Sequence, residues 1–212
     1  MKIRILVALV ALAAAAPALA APPANLDTRI EELRRTSELP GLAIAIVEDG
    51  KTTLARGYGV RKLGGNDAVN ADTIFMTGST GKAVTVAALA TLVDAGKLGW
   101  DDKVVDRLPG FQMYDPWVTR EMTVRDLLVH RSGLGLGAGD LMFVPRSNRT
   151  RANIVAALRH IKPATSFRSG YAYDNILYTV AGALIEAVSG AELRKLSPPA
   201  RVQAGWASDG NQ

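Results

Sequence analysis

The stretch from Thr80 to about Lys97 constrains this chain more than any other, because Val84, Val86, Leu89, Leu92 and Val93 leave a helix there apolar on nearly every face. Such a helix needs protein on several sides, so it is predicted to lie buried inside a layered domain. Ahead of it, Leu26, Ile30 and Leu33 fall at helical spacing until Pro40-Gly41 stops them. LAIAIVE and TTLARGYG then read as two strands, at about 42–59, joined by Asp49-Gly50, a pair that accepts the positive φ angles of a tight turn. Behind it, Thr123 with Asp126, Thr150 and Asn175 each stand where a cap would open a helix, and Gly190 closes the last of these. A hairpin, a buried helix at about 80–97 and helices onward to 190 predict an α/β lobe carrying an all-helical lobe.

Met1 to Ala20 has a different character. Lys2 and Arg4 precede an apolar run to Ala16, followed by Pro17 and a small-x-small ending at Ala18, Leu19 and Ala20. This is the pattern of a secretory signal, residues 1–20, cleaved after Ala20 and too short to serve as a membrane span. A secreted, periplasmic protein with no membrane span after signal removal is the expectation. The chain has no cysteine, so neither a lipid anchor at the cleavage point nor a disulfide is available. Without Lys2 and Arg4 the formal charge falls from +5 to +3, and the remaining cations are interleaved with acids. No nucleic-acid face is therefore expected. Residues 21–190 read as one domain and residues 191–212, with Pro198-Pro199 and no periodicity, as an irregular tail.

Chemistry enters with FMTGSTGKAVT, which places Ser79 and Lys82 three residues apart at the start of the apolar helix. Residues at that spacing share a face, so the amine can approach the hydroxyl, and the amide groups of a helix start favour a negatively charged oxygen. A capping serine beside a surface lysine is the competing explanation. A phosphate loop is a poorer one, since Met76 stands where GxxxxGK[ST] requires glycine and Ala83 where it requires a hydroxyl. FRSGYAYDN supplies Tyr173 and Asn175, which alone would pass for a core aromatic and a helix cap. His130 and His160 are expected to pack or face solvent, having no evident carboxylate partner. Gly133, Gly135, Gly137 and Gly139 miss the GxGxxG spacing and are assigned no chemistry. No metal-ligand spacing appears, and neither a metal nor a cofactor is implied.

Taken in order, PGLAIAIVEDGKTTLARGYGVRK, FMTGSTGKA, LVDAGKLGWDDKVVDRLPGF, MTVRDLLVHRSGL and FRSGYAYDNILYTVAGALIEAVSG resemble the amino-terminal part of a serine β-lactamase-like protein, on the class C side of the penicillin-recognising enzymes. The resemblance covers roughly residues 25 to 190. It implies an antiparallel sheet flanked by helices plus an all-helical lobe, with Ser79 as acylated nucleophile, Lys82 as the activating amine, Tyr173 as proton shuttle and Asn175 as the amide orienting substrate and Lys82. The implied reaction is attack on a β-lactam, D-alanyl peptide or ester carbonyl through an acyl-enzyme. The implied partner is a small-molecule or peptidoglycan-like substrate. Whether Lys82 or Tyr173 takes the first proton is left open, as is the oligomeric state.

Members of that family carry a further triplet, Lys or His, a small residue, then Gly, on a strand beside the nucleophile helix, and no such triplet follows Asn175. The expectation is an incomplete domain lacking its later sheet strands and impaired in activity. Five apolar side chains of the 80–97 helix would then stay wet at about 1.5 to 3 kcal/mol each. A non-catalytic protein binding cell-wall peptides or a partner, and a non-functional fragment, are the alternative outcomes.

Overall fold

A computed structural model describes residues 22–193. The predicted signal and nearly all of the predicted tail lie outside the described residues. The chain divides into two compact units between Thr73 and Ile74.

The first unit opens with helix α1 (Leu26–Thr36), followed by strands β1 (Gly41–Glu48) and β2 (Lys51–Gly59). The strands form an antiparallel pair in which Gly41 faces Gly59 and Glu48 faces Lys51, with a register shift after Ile46. Asp49 and Gly50 both have positive φ, as the Asp-Gly reading requires. α1 is tied to β2 through Asp27, which accepts from the Tyr58 hydroxyl at 2.6 Å and pairs with Arg56. Gly57 allows a close approach, since a Cβ there would fall 2.4 Å from the Val69 backbone.

The second unit is helical among its described residues. A 3-10 turn at Gly78–Thr80 leads into α2 (Gly81–Asp94), followed by the short helices α3 (Val104–Arg107) and α4 (Pro116–Glu121), then α5 (Arg151–Ala157) and α6 (Ile176–Ser189). Its core joins Leu89 and Leu92 of α2 to Met122, Leu127, Leu134 and Leu158, and to Ile176, Leu177, Val180, Leu184 and Ile185 of α6. Thr150 and Asn153 form the reciprocal capping box expected before α5, and Gly190 ends α6 in the left-handed conformation. Thr123 and Asp126 also bond reciprocally, but the segment after them closes only a 3-10 turn, Arg125–Leu127.

Three expectations need revising. α2 is not buried all round: Gly81, Thr85, Ala88, Leu89 and Leu92 are buried, whereas Ala83, Ala87 and Thr91 are exposed. Periodicity missed this because the exposed stripe is made of alanine and threonine, small enough to leave the helix apolar without demanding a neighbour. Nor do five side chains stay wet, since Leu89 and Leu92 are packed against α6 and Val84, Val86 and Val93 are partly covered. The tail is packed at its beginning, where Leu193 lies against the core and its N–H reaches Glu186 at 3.0 Å.

Candidate active site

The turn at Gly78–Thr80 sets the first residue of the site. Gly78 has φ of 53°, a conformation that disfavours a side chain, and the chain turns there to present Ser79 exposed at the start of α2. One turn on, Lys82 brings Nζ within 3.1 Å of Ser79 Oγ. The spacing argument holds: the two side chains meet on one face.

Packing of α2 against α6 brings in the residues that lead into α6. Tyr173 places its hydroxyl 2.6 Å from Ser79 Oγ and 2.6 Å from Lys82 Nζ, and Asn175 Oδ1 accepts from Lys82 at 2.7 Å. All four predicted site residues therefore form one hydrogen-bonded group. Three acceptors surround an ammonium that has three protons to give. Lys82 also lies 4.6 Å from the centroid of the Tyr173 ring and 5.1 Å from that of Tyr178. Burial pushes the Tyr173 phenol up, but the hydrogen bonds to Lys82 and Ser79 together with the ammonium charge outweigh it. The phenol is held below its usual range, against an opposing pull from Asp140.

A second layer holds this group. Asn175 does not cap α6 with its side chain; Asp174 does, accepting the Leu177 N–H at 3.3 Å while Asn175 turns to Lys82 and to Asp140, whose Oδ2 accepts from Asn175 Nδ2 at 2.9 Å. Asp174 is fully buried, accepts from Ser132 Oγ at 3.2 Å, and burial raises its pKa to about 6. The Leu177 and Ser132 hydrogen bonds oppose that rise.

His130 packs, as expected, but behind Tyr173 rather than in an unrelated part of the core: the rings are 4.5 Å apart and tilted by 30°. Its Nδ1 accepts the Asp174 N–H at 3.2 Å. That nitrogen therefore carries no proton, and its 3.9 Å separation from the Asp174 carboxylate is not an ion pair. Burial, followed by the charge of Lys82, lowers the imidazole pKa, against an opposing contribution from the Asp174 backbone. Asp174 therefore meets His130 through its backbone N–H rather than through its carboxylate. His160 faces solvent.

The segment after His130 is bound to the segment before Tyr173. The carbonyl of His130 accepts from Ala172, that of Arg131 from Arg168, and that of Gly133 from both Ala164 and Thr165. Gly133 has φ of 90°, and a Cβ there would meet the Thr165 carbonyl at 2.6 Å. Two sequence segments, HRSGL and the run into YAYDN, thus fold as one support. Asp174, lying between Tyr173 and Asn175 at a helix start, could have been recognised as the cap; Asp140 had no comparable signal. No cluster of metal-ligating side chains occurs among the described residues.

With the geometry in place, the relationships of the chain are clear. The Beta-lactamase family model matches residues 26–196, and the chain belongs to that family. It is 32% identical over 178 residues to the unguisins hydrolase of Aspergillus violaceofuscus, an alignment covering 81% of this chain and 31% of that protein. It is 34% identical over 174 residues to penicillin-binding protein 4 of Amycolatopsis lactamdurans, covering 79% and 43%. The octameric penicillin-binding protein homologue of Pyrococcus abyssi superposes with a TM-score of 0.66 at 28% identity, covering 81% of this chain and 40% of that one. The fold is therefore β-lactamase/transpeptidase-like, and the chain spans well under half the length of these relatives. The family is one of serine β-lactamase-like and penicillin-binding hydrolases. Among the described residues no helix is long and apolar enough to cross a membrane.

Proposed function

We propose that this chain, exported by way of residues 1–20, is a serine hydrolase or acyltransferase in which Ser79 is acylated by a β-lactam, D-alanyl peptide or ester carbonyl. The observation that carries the reading is the position of the Tyr173 oxygen, 2.6 Å from both Ser79 Oγ and Lys82 Nζ. The names of the relatives, a hydrolase and a penicillin-binding protein, support acyl chemistry of this kind.

In this reading Lys82 acts as an ammonium that donates to Ser79, Tyr173 and Asn175, and so offers no lone pair for the serine proton. Its charge instead favours the phenolate of Tyr173, which serves as base. The phenolate takes the Ser79 proton as Oγ attacks the carbonyl carbon. The tetrahedral intermediate then collapses, breaking the bond to the leaving nitrogen or oxygen, which receives the proton back from Tyr173. Water, or an alcohol or amine acceptor, repeats the sequence on the acyl-enzyme and frees Ser79. Asn175 holds Lys82 and lends an amide to the substrate.

The test is labelling of purified full-length protein with a fluorescent penicillin or an alkyl phosphonate, with the adduct located by mass spectrometry. The expected result is a single adduct on Ser79 that disappears in Ser79→Ala, a loss of at least about 1000-fold in labelling rate. Saturable binding of the penicillin without an adduct, unchanged in Ser79→Ala and Lys82→Ala, would instead identify a binding protein.

A further inference from the structure

We propose that Asp140 is the positioning residue that fixes the side-chain amide of Asn175, and through it Lys82, for the acylation proposed above, on which this inference rests. An amide has a donating and an accepting end. Asn175 sits between an ammonium, which only donates, and a carboxylate, which only accepts: Oδ1 meets Lys82 at 2.7 Å and Nδ2 meets Asp140 at 2.9 Å. Reversing the amide would set NH2 against NH3+ and carbonyl against carboxylate. Asp140 thereby makes one orientation compulsory.

The backbone delivers this carboxylate by a specific device. Gly137 and Gly139 have φ of 75° and 79°, and the N–H groups of Asp140 and Met142 bond back to the carbonyls of Gly137 and Gly139 at 3.0 Å each. A Cβ at Gly139 would fall 2.4 Å from Cδ1 of Ile176, the residue immediately after Asn175. The turn is thus pressed directly against the start of α6, as only glycine permits. The glycine run that has no place in a nucleotide-binding motif has this use instead.

The remaining carboxylate oxygen of Asp140, Oδ1, is buried and has no hydrogen-bond partner among the described residues. A carboxylate oxygen buried without a partner is costly, and a packing requirement alone would be met more cheaply by an uncharged residue. The charge also reaches the site, where it opposes the lowering of the Tyr173 pKa. Tyr173 is otherwise faced by Ser79 and Lys82 from the start of α2, by His130 from the loop behind it, and by Tyr178 from α6.

Asp140→Ala and Asp140→Asn separate orientation from charge, since the asparagine carbonyl can still accept from Asn175 Nδ2. Acylation by fluorescent penicillin is followed from mildly acidic to alkaline pH in the full-length chain. Asp140→Ala is expected to slow acylation about 10- to 100-fold, while Asp140→Asn restores all but about threefold. In both, the acid limb of the pH profile moves to lower pH, because the carboxylate that pulled the phenol upward is gone. Equal losses in the two variants with an unmoved acid limb would overturn the proposal, leaving a residue needed only for packing. The second readout is the Asn175 side-chain amide in 15N spectra, assigned by difference from Asn175→Ala. Its two protons should be well separated in the native chain and in Asp140→Asn, and should converge in Asp140→Ala; no change would overturn the proposal. Failure of the native protein to acylate would count against the acylation reading alone, and the amide spectra would still decide the role of Asp140.

Discussion

The starts of α2 and α6 both supply side chains to the site, yet they are finished in opposite ways. At α2 neither Thr77 nor Thr80 caps a backbone amide, and the Thr80 hydroxyl instead donates to the Thr77 carbonyl at 2.6 Å. At α6 the buried carboxylate of Asp174 accepts the Leu177 N–H. The open amides of a helix start favour negative charge. One start therefore keeps that capacity beside an exposed hydroxyl, where the proposed acylation would form a transient anion, while the other uses it on a resident carboxylate sealed under the support of Tyr173.

The hardest test of this contrast removes the charge standing between the two starts. Lys82→Met is expected to reduce acylation of Ser79 by about 100- to 10,000-fold and to shift the acid limb of its pH profile upward, as the phenol loses the ammonium that favours its ionised form. Stopped-flow measurement with fluorescent penicillin reads both; an unshifted limb would remove Tyr173 as the base.

Next in size is the sealed carboxylate. With a folded pKa of about 6 against an ordinary value near 3.8, Asp174 holds a proton in the folded chain that the unfolded chain has already released. Its contribution to stability is complete below the ordinary value and is lost as pH rises through about 6, a change of about 3 kcal/mol. Chemical denaturation across that interval should show native stability falling relative to Asp174→Asn, whose carbonyl still accepts from Leu177. Parallel curves would mean the carboxylate is less isolated than its burial indicates. The smallest effect comes from making α2 resemble α6: Thr80→Asp should raise stability by about 0.5 kcal/mol while slowing acylation about fivefold, since a fixed anion competes with the transient one. A faster reaction would show that the open amides play no part.

What could be read from the chain followed the reach of each interaction. Asp49-Gly50, the Thr150–Asn153 box and Gly190 were legible because turns and caps are decided within four residues. Ser79 and Lys82 were legible for the same reason, being one helical turn apart. The grouping with Tyr173 and Asn175, more than ninety residues on, was legible only through family resemblance. The half-open face of α2 was not, because alanine and threonine do not declare whether they have neighbours. Asp140 was invisible for another reason: its partner lies 35 residues away, and what brings them together is a glycine turn whose significance is the clearance at Ile176. Asn175 does stand at the cap position of α6, but the side chain that accepts a helix N–H is that of Asp174, one position earlier, while Asn175 faces the site.

The stacking of His130 on Tyr173 has a dynamic consequence. A phenol on an open loop samples several orientations and must be gathered in before each proton transfer. Here the imidazole lies along one ring face, and the phenolic oxygen is held between a lysine and a serine at 2.6 Å each. Ring reversal would require that stack to part, so the two edges of the Tyr173 ring should remain magnetically distinct, and the proposed acylation would begin with its proposed proton carrier already aimed.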